Sequence, residues 1–398
     1  MKLLVVQEQH FTRMPNGEVW VDVQSNSKFW ERYLSAFEEV VVCARFEHSP
    51  KYDTAKKMRS DHKNVSFIEL PNFRGVASLL KNLYTTSKIM LNAMKQCDRI
   101  IFRAPSPISM VAYPLAVISG KPFAAEIMNN PYTQFSPESM HNFYQPLLRW
   151  LIVKQTKSLC KKANGVSYVT DNVLQKMYPS RARLYGETKS FFEASYSTIN
   201  MEAEKYSFEE WPMEKPQKIV LVHTGTMQDY RKGQNIFIKA ISILRQKGYD
   251  VEGILVGDGI KRSELEALGR TLGISDKLDF VGWKAGFEAV RSELKRAQFA
   301  VFPTLGEGLP RSVIEAMAQG LLCFGSDVDG MCELLDEKCL VPEFTAESFV
   351  SKIEYFLLNW KLVLSEREKQ YIASKRYQYD LLSKKRKDFY LKLKISED

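Results

Sequence analysis

The stretch PTLGEGLPRSVIEAMAQG, residues 303–320, carries the strongest structural signal in this chain. The apolar run at 299–302 precedes it and predicts a buried strand. The glycines that follow predict a loop, and Pro310 suits the first turn of a helix because its missing N–H would have no partner there. Apolar residues at helical spacing then predict a helix over 311–319 that ends at Gly320. The stretch is therefore a strand, a loop and a helix in succession.

The start of this helix is a predicted anion-binding site. The N–H groups of a first helical turn have no partner within the helix, and the helix dipole places about half a positive charge there. Two carboxylates, Glu307 and Glu315, flank the site and suit neutral hydroxyls better than phosphate. The arrangement favours a ligand with a diphosphate at its centre and hydroxyls at both ends. The alternative is structural: Glu307 caps the helix and Glu315 is favoured by the dipole.

Short apolar strands alternate with helical stretches along the chain, a pattern typical of α/β layers with parallel sheets. The predicted strands are 3–6, 40–44, 65–70, 100–103, 123–127, 166–169, 219–223, 253–256, 278–281, 299–302 and 321–324. The predicted helices include 77–95, 147–162, 235–247, 263–272, 287–296 and 311–319. A polar, acid-rich linker at 193–217 divides two domains, 1–195 and 196–371, and a C-terminal helix at 372–398 packs back on the first.

The net charge of the chain is 56 − 47 = +9, counting Lys and Arg against Asp and Glu. Much of the excess lies between Lys375 and Lys394, where eight basic residues accompany two acids. Such a tail is typical of a solvated helix face, of a surface for anionic lipid, or of a nucleic-acid contact. The sequence shows no recognisable reading helix or aromatic platform, so we expect no nucleic-acid partner.

Cysteine usage and hydropathy indicate the compartment. No C-x-x-C pair occurs, and the apolar or helical neighbours of Cys97, Cys160 and Cys323 predict reduced, buried thiols. The chain opens on a short strand instead of a signal peptide, and its most apolar stretch, 110–119, is far shorter than the ~20 residues that span a bilayer. We therefore expect a soluble, cytoplasmic protein, with peripheral contact at an anionic inner membrane face as a further possibility.

Five segments of the second half resemble the family 4 glycosyltransferases in the expected order. The spacing of Glu307 and Glu315 and the EAMA that follows match the E-x7-E motif of that family. The other resembling segments are GTMQDYRKG at 225–233, LVGDG at 255–259, FVG at 280–282 and SDVDG at 326–330. The resemblance covers roughly 219–335 and implies the GT-B fold: two Rossmann-like domains with parallel sheets that face each other across a cleft.

The resemblance also implies roles for individual residues in a retaining sugar transfer. Glu307 would contact the donor sugar, Glu315 the ribose hydroxyls, and Lys232 the leaving diphosphate. The other predicted donor-binding residues are Gly225, Thr226, Arg231, Gly257, Gly282, Gly308, Leu309, Pro310, Arg311, Ser312 and Val313. We expect no metal or cofactor, because Lys232 and the helix start already supply positive charge. The expected partners are a UDP-sugar donor and a glycan or lipid-linked acceptor.

Two departures from the family pattern leave roles open. The family often has Gly-Arg where this chain has Gly225-Thr226, so Arg231 or Arg311 either replaces the missing cation or is an ordinary surface residue. The family also places a His after a middle strand of the first domain, where this chain reads AAEIMNNP at 124–131. Glu126, Asn129 or Asn130 would face the cleft there, and His10 after the first strand is a further candidate. Glu126 is the candidate catalytic residue, because a carboxylate on an apolar strand is costly to bury without a partner.

Other readings of the first domain and of the whole chain remain. Asn16-Gly17 suits a hairpin better than the glycine loop that such families place after the first strand. A nucleotide-sugar epimerase or hydrolase of the same architecture would bind the same donor, but it needs several acid–base groups near the sugar. A non-catalytic binding protein is the alternative outside enzymes. The motif context favours transfer over both.

Overall fold

The computed structural model describes residues 1–22, 25–49, 57–138 and 142–396, and the chain divides into two compact units. The first unit comprises Met1–Tyr132, Leu147–Tyr196 and Leu382–Asp398. The second comprises Thr133–Pro146 and Ser197–Leu381. The C-terminal end of the chain thus belongs to the first unit, and a short segment from the first half of the chain belongs to the second.

Helices follow most of the strands along the chain. They are α1 (Ser27–Leu34), α2 (Gly75–Lys81), α3 (Leu83–Lys95), α4 (Pro107–Ser119), α5 (Pro131–Gln134), α6 (Gln145–Lys162), α7 (Val173–Met177), α8 (Arg181–Tyr185), α9 (Gln234–Gln246), α10 (Arg262–Thr271), α11 (Gly286–Leu294), α12 (Arg311–Ala318), α13 (Ala346–Leu357), α14 (Trp360–Ser374) and α15 (Tyr379–Ile395). The continuous helix predicted over 77–95 is wrong. Asn82 interrupts it, because its side-chain amide donates to the carbonyl of Ser78 at 2.9 Å and competes with the helical pattern.

The first unit is built on a largely parallel sheet. Its strands are β1 (Lys2–Arg13), β2 (Val19–Val21), β3 (Glu39–His48), β4 (Met58–Arg59), β5 (Val65–Leu70), β6 (Arg99–Ala104), β7 (Phe123–Ile127), β8 (Gly165–Tyr168) and β9 (Phe192–Ser195). The order β5-β3-β1-β6-β7-β8-β9 is parallel throughout, and β2 pairs antiparallel with the far end of β1. The hairpin predicted at Asn16-Gly17 is confirmed, with Gly17 in the left-handed region at φ 88°.

The second unit contains a wholly parallel sheet. Its strands are β10 (Lys218–Thr224), β11 (Asp250–Val256), β12 (Leu278–Gly282), β13 (Phe299–Phe302), β14 (Leu322–Ser326) and β15 (Leu340–Val341). The order is β12-β11-β10-β13-β14-β15, so the chain proceeds outward from β10 in one direction and from β13 in the other. A sheet of this kind opens a crevice at the carboxyl ends of the two strands where the direction reverses. We therefore expect the crevice beyond β10 and β13.

Burial follows the predicted pattern in both sheets. The central strands are apolar on both faces, as parallel strands covered by helices must be. Residues Leu221 and Val222 of β10 and Val301 of β13 are fully buried. The three thiols predicted to be buried, those of Cys97, Cys160 and Cys323, are buried and form no disulfide.

Glu126 is buried in β7, and four side chains of the first unit bind its carboxylate. Oε2 accepts hydrogen bonds from the Tyr33 hydroxyl at 2.8 Å and from Arg103 at 3.2 Å. Oε1 accepts from the hydroxyls of Tyr390 at 2.7 Å and Tyr196 at 3.2 Å. These partners account for a carboxylate on an apolar strand and favour a structural role. The catalytic role of Glu126 stays a prediction that these contacts do not support.

The Glu126 cluster also secures the C-terminal helix, because Tyr390 lies on α15. Burial and the charge of Glu126 raise the pKa of the Tyr390 hydroxyl well above its ordinary value, so it remains a donor. Phe389 packs edge-on against Phe192 at 5.3 Å between ring centroids. Three lysines of the basic run, Lys384, Lys385 and Lys387, are exposed as expected. Arg386 is buried with the apolar face of the helix.

Replacing Glu126 with alanine should destabilise the first unit by about 3–5 kcal/mol, because Arg103 would be left buried without its anion. Glu187→Ala is the matched control, since Glu187 pairs with Lys392 of α15 at 3.3 Å but on the surface. There an ion pair contributes less than about 1 kcal/mol. Hydrogen exchange of the β7 amides under native conditions measures both losses. Equal losses would contradict the special role of the cluster.

Candidate active site

The loops at the carboxyl ends of the second sheet carry the predicted donor-binding residues. Gly225 and Thr226 directly follow β10, Gly257 follows β11, and Gly282 closes β12. The loop that contains Glu307 follows β13 and leads into α12. Because the strands are parallel, all these loops emerge at one edge of the sheet. The structure therefore brings the predicted donor-binding residues together within one unit.

The glycines let these loops approach each other closely. Gly225 donates its N–H to the carbonyl of Val256 at 2.9 Å, and Gly257 donates to the carbonyl of Gly282 at 2.9 Å. A Cβ on Gly257, whose φ is 140°, would lie only 2.0 Å from the carbonyl oxygen of Gly225. These contacts give the glycines a structural purpose. That they also contact the donor stays a prediction.

The start of helix α12 is the predicted anion site. Pro310 occupies its N-cap position, and that residue makes no side-chain capping hydrogen bond. Glu307 is therefore not the N-cap residue of this helix. The N-terminal N–H groups of α12, which include those of Ser312 and Val313, mark the positive end of the helix dipole. Gly308 and Leu309 are buried in the loop before it.

Lys232 forms an ion pair with Oε1 of Glu307 at the start of α12. The lysine ends the short turn Tyr230–Lys232 ahead of α9, so two separate loops supply the pair. Burial, and then the charges of Arg231 and Arg311, lower the pKa of Lys232 to about 8. The carboxylate of Asp229 acts in the opposite direction and favours the ammonium form. The charged form of Lys232 is thus less stable than that of an ordinary exposed lysine.

Both candidate replacements for the missing cation lie near Lys232, as their effect on its pKa shows. Arg231 also bonds to Asp229 at 2.9 Å, which orients its guanidinium. Arg311 opens α12 and acts on Glu315, whose pKa burial raises and Arg311 lowers. A half-buried carboxylate of this kind suits paired hydroxyls. Both arginines are thus close enough to Lys232 to replace the missing cation. That either one does so stays a prediction.

Sequence reasoning missed two buried polar residues beside this loop, His223 and Gln234. His223 Nδ1 lies 2.8 Å from the carbonyl of Val301, and burial lowers its pKa to about 4, so the ring is neutral at pH 7. Gln234 donates to the carbonyl of Thr226 at 3.0 Å and holds the loop after β10 in place. A histidine within the apolar strand β10 was the available signal for the first of these.

Asp329, in the turn after β14, was also missed. Its Oδ2 accepts a hydrogen bond from the backbone N–H of Glu307 at 3.2 Å. The sequence places Asp329 in the predicted SDVDG loop but gives no sign of this contact. Within the described ranges, His, Cys, Asp and Glu side chains form no group of three or more that could hold a metal ion. That transfer needs no metal stays a prediction.

The chain is similar in sequence to known proteins. Residues 218–359 match the sequence model of the family described as glycosyl transferases group 1. The chain is 23% identical over 340 residues to protein CapJ of Staphylococcus aureus, which covers 85% of this chain and 82% of CapJ.

Solved structures of similar fold span nearly the whole chain. HepE of Anabaena in complex with UDP-glucose matches with a TM-score of 0.65 and 15% identity over 98% of each chain. The lipopolysaccharide outer core galactosyltransferase WaaB matches with a TM-score of 0.61 and 16% identity over 98% of this chain and 99% of WaaB. These likenesses confirm two Rossmann-like units of the GT-B type. With the family match over the second unit, they identify the chain as a glycosyltransferase with the GT-B fold.

Proposed function

We propose that this glycosyltransferase is retaining and moves a sugar from a nucleoside diphosphate sugar to a hydroxyl of a glycan or lipid-linked acceptor. The observation that carries the proposal is the Lys232–Glu307 ion pair beside the uncapped start of α12. A cation, backbone N–H groups and a carboxylate therefore lie at one edge of the sheet. The cation and the N–H groups suit the diphosphate of a donor, and the carboxylate suits its sugar hydroxyls.

Each group has a definite part in the transfer. The bond between the anomeric carbon and the diphosphate oxygen breaks, and its electron pair leaves with the diphosphate. Lys232 and the N–H groups of α12 stabilise that charge. The acceptor oxygen forms the new bond on the face from which the diphosphate departs, and its proton passes to the leaving phosphate. Glu307 positions the sugar and forms no covalent bond, while Glu315 accepts hydrogen bonds from the ribose.

UDP is the first nucleotide to test, and a surface polysaccharide or glycolipid is the first acceptor class. The bound UDP-glucose of HepE supports the former, and the outer core galactosyltransferase activity named for WaaB supports the latter. We expect transfer to proceed without a metal ion, because Lys232, Arg231, Arg311 and the dipole of α12 supply the positive charge that a metal would otherwise bring.

We predict acceptor-dependent turnover with retained configuration. Release of UDP from a panel of UDP-sugars should rise when an acceptor extract is added, and NMR of the product should show the anomeric configuration of the donor. EDTA should leave the rate unchanged. UDP release that is indifferent to acceptor would favour a hydrolase, and interconversion of UDP-sugars without release would favour an epimerase. An inverted product would overturn the retaining mechanism.

The pH dependence of donor use should follow Lys232. Its pKa of about 8 means that the ammonium is present below pH 8 and is lost above it. The kcat/KM for the donor should therefore be flat below that pH and fall above it. Lys232→Ala should lower kcat/KM on the order of 10²-fold or more and abolish the fall. Lys232→Arg should move the fall to higher pH, because a guanidinium stays charged.

Lys247→Ala is the matched control for these lysine variants. Lys247 is exposed and pairs with Glu354 on the surface of the second unit. Its removal should leave both the rate and the pH profile as they are. A Lys232→Ala rate within a few-fold of the unmodified protein would remove Lys232 from the mechanism.

Weak attachment to anionic lipid is a further prediction for α15. No helix of the described residues is both long and apolar enough to cross a membrane. Lys384, Lys385 and Lys387 are exposed on α15, and each contributes about 1 kcal/mol near an anionic surface. The protein should float with anionic vesicles at low salt and be released at high salt. Changing the three lysines to glutamine should abolish flotation, whereas the same change at Lys361, Lys369 and Lys375 should not.

A solvated packing helix is the alternative for α15. Absence of binding at low salt, or equal binding to neutral vesicles, would establish that alternative and exclude electrostatic attachment.

A further inference from the structure

Asp329 adopts a backbone conformation that is uncommon outside glycine. It begins the short turn Asp329–Glu333 after β14 with φ 42°, in the left-handed region that residues other than glycine seldom adopt. Such a conformation is strained and persists where the surrounding structure enforces it. Asp329 keeps this conformation beside Glu307 of the predicted active site.

The side chain of Asp329 joins two segments. Its Oδ2 accepts a hydrogen bond from the Thr133 hydroxyl at 2.8 Å and another from the N–H of Glu307 at 3.2 Å. The next residue, Gly330, donates its N–H to the carbonyl of Glu307 at 3.4 Å. The backbone of Glu307 is therefore held on both its donor and its acceptor side by the turn after β14.

Gly306 allows this arrangement. A Cβ at that position would lie 2.5 Å from the Thr133 Cβ, 2.6 Å from its hydroxyl and 3.1 Å from Asp329 Oδ2. Only a residue without a side chain fits between the three groups. Thr133 itself opens the segment 133–146, which belongs to the second unit although its chain neighbours on both sides belong to the first. A residue from the first half of the chain thus completes the loop that carries Glu307.

We propose that Asp329 and Thr133 are positioning residues that fix the backbone of Glu307 and thereby aim its carboxylate. The inference rests on the proposed function, in which Glu307 orients the donor sugar while Lys232 and α12 hold the diphosphate. Loss of the positioning bonds frees the Glu307 loop and leaves the diphosphate contacts in place. The effect therefore falls on kcat, and the KM for the donor changes little.

Two pairs of variants distinguish the loss of a hydrogen bond from the mere change of a residue. Asp329→Ala and Thr133→Val remove the acceptor and the donor. Asp329→Asn keeps an acceptor oxygen and tolerates the left-handed backbone, and Thr133→Ser keeps the hydroxyl. Thr271→Val is the control, because it removes a similar hydroxyl bond, to the carbonyl of Ala267 at 3.1 Å, at an exposed helix end.

The variants are compared by kcat and KM with UDP-sugar and acceptor, and by hydrogen exchange of the Glu307 amide in the protein alone. Asp329→Ala and Thr133→Val should lower kcat about tenfold, the loss of roughly one hydrogen bond. The KM for the donor should stay within about twofold, and the Glu307 amide should exchange faster. Asp329→Asn and Thr133→Ser should stay close to the unmodified protein on every measure, as should Thr271→Val.

Unchanged exchange of the Glu307 amide in both Asp329→Ala and Thr133→Val would overturn the proposal. So would faster exchange without a fall in kcat, or a fall that Thr133→Ser fails to rescue. The exchange measurement needs no turnover. If the unmodified protein consumes no UDP-sugar, the proposal of a UDP donor fails on that result, and the exchange data still decide whether Asp329 and Thr133 hold Glu307. If Asp329→Ala does not fold, the two Thr133 variants carry the test.

Discussion

The ion pair between Lys232 and Glu307 links the loops of the second unit to the chemistry proposed for them. Burial and two neighbouring guanidinium groups disfavour the ammonium, and the Asp229 carboxylate acts against them. The ammonium also pairs with the Glu307 carboxylate. A diphosphate would compensate more strongly, because it brings more negative charge to Lys232, Arg231 and Arg311 together. In the proposed mechanism, donor binding exchanges one anion for another and releases Glu307 for the sugar, and the ion pair keeps both groups in place until that exchange.

The scaffold around the pair consists of short backbone contacts between loops. Gly257 approaches the carbonyl of Gly225, and a Cβ on Gly233 would lie 1.9 Å from the carbonyl of Pro303. Gln234 and His223 then bind backbone carbonyls from buried positions. With the loops fixed in this way, the uncapped helix start and the lysine need little reorganisation when charge develops on a leaving group. In the first unit, the buried Glu126 cluster binds Tyr390 and so secures α15.

Local patterns predicted much of this structure. The strand at 299–302, the helix opened by Pro310 and the strand-loop-helix order of the second half are encoded within a few residues of one another, and the structure confirms them. Properties that depend on distant residues were not predictable. Tyr390 lies 264 residues from Glu126, and nothing near either residue indicates their contact. The left-handed Asp329, its bond to Thr133 and the break at Asn82 likewise arise from side-chain hydrogen bonds that periodicity does not record.

In the proposed mechanism, the donor diphosphate binds between Lys232 and the start of α12. A crystal structure of the protein with UDP tests it most directly. The account predicts phosphate oxygens within hydrogen-bonding distance of Lys232 Nζ and of the first N–H groups of α12. It also predicts that Lys232 has moved away from Glu307 and that the ribose hydroxyls lie on Glu315. A diphosphate bound elsewhere, with Lys232 still paired to Glu307, would contradict the account.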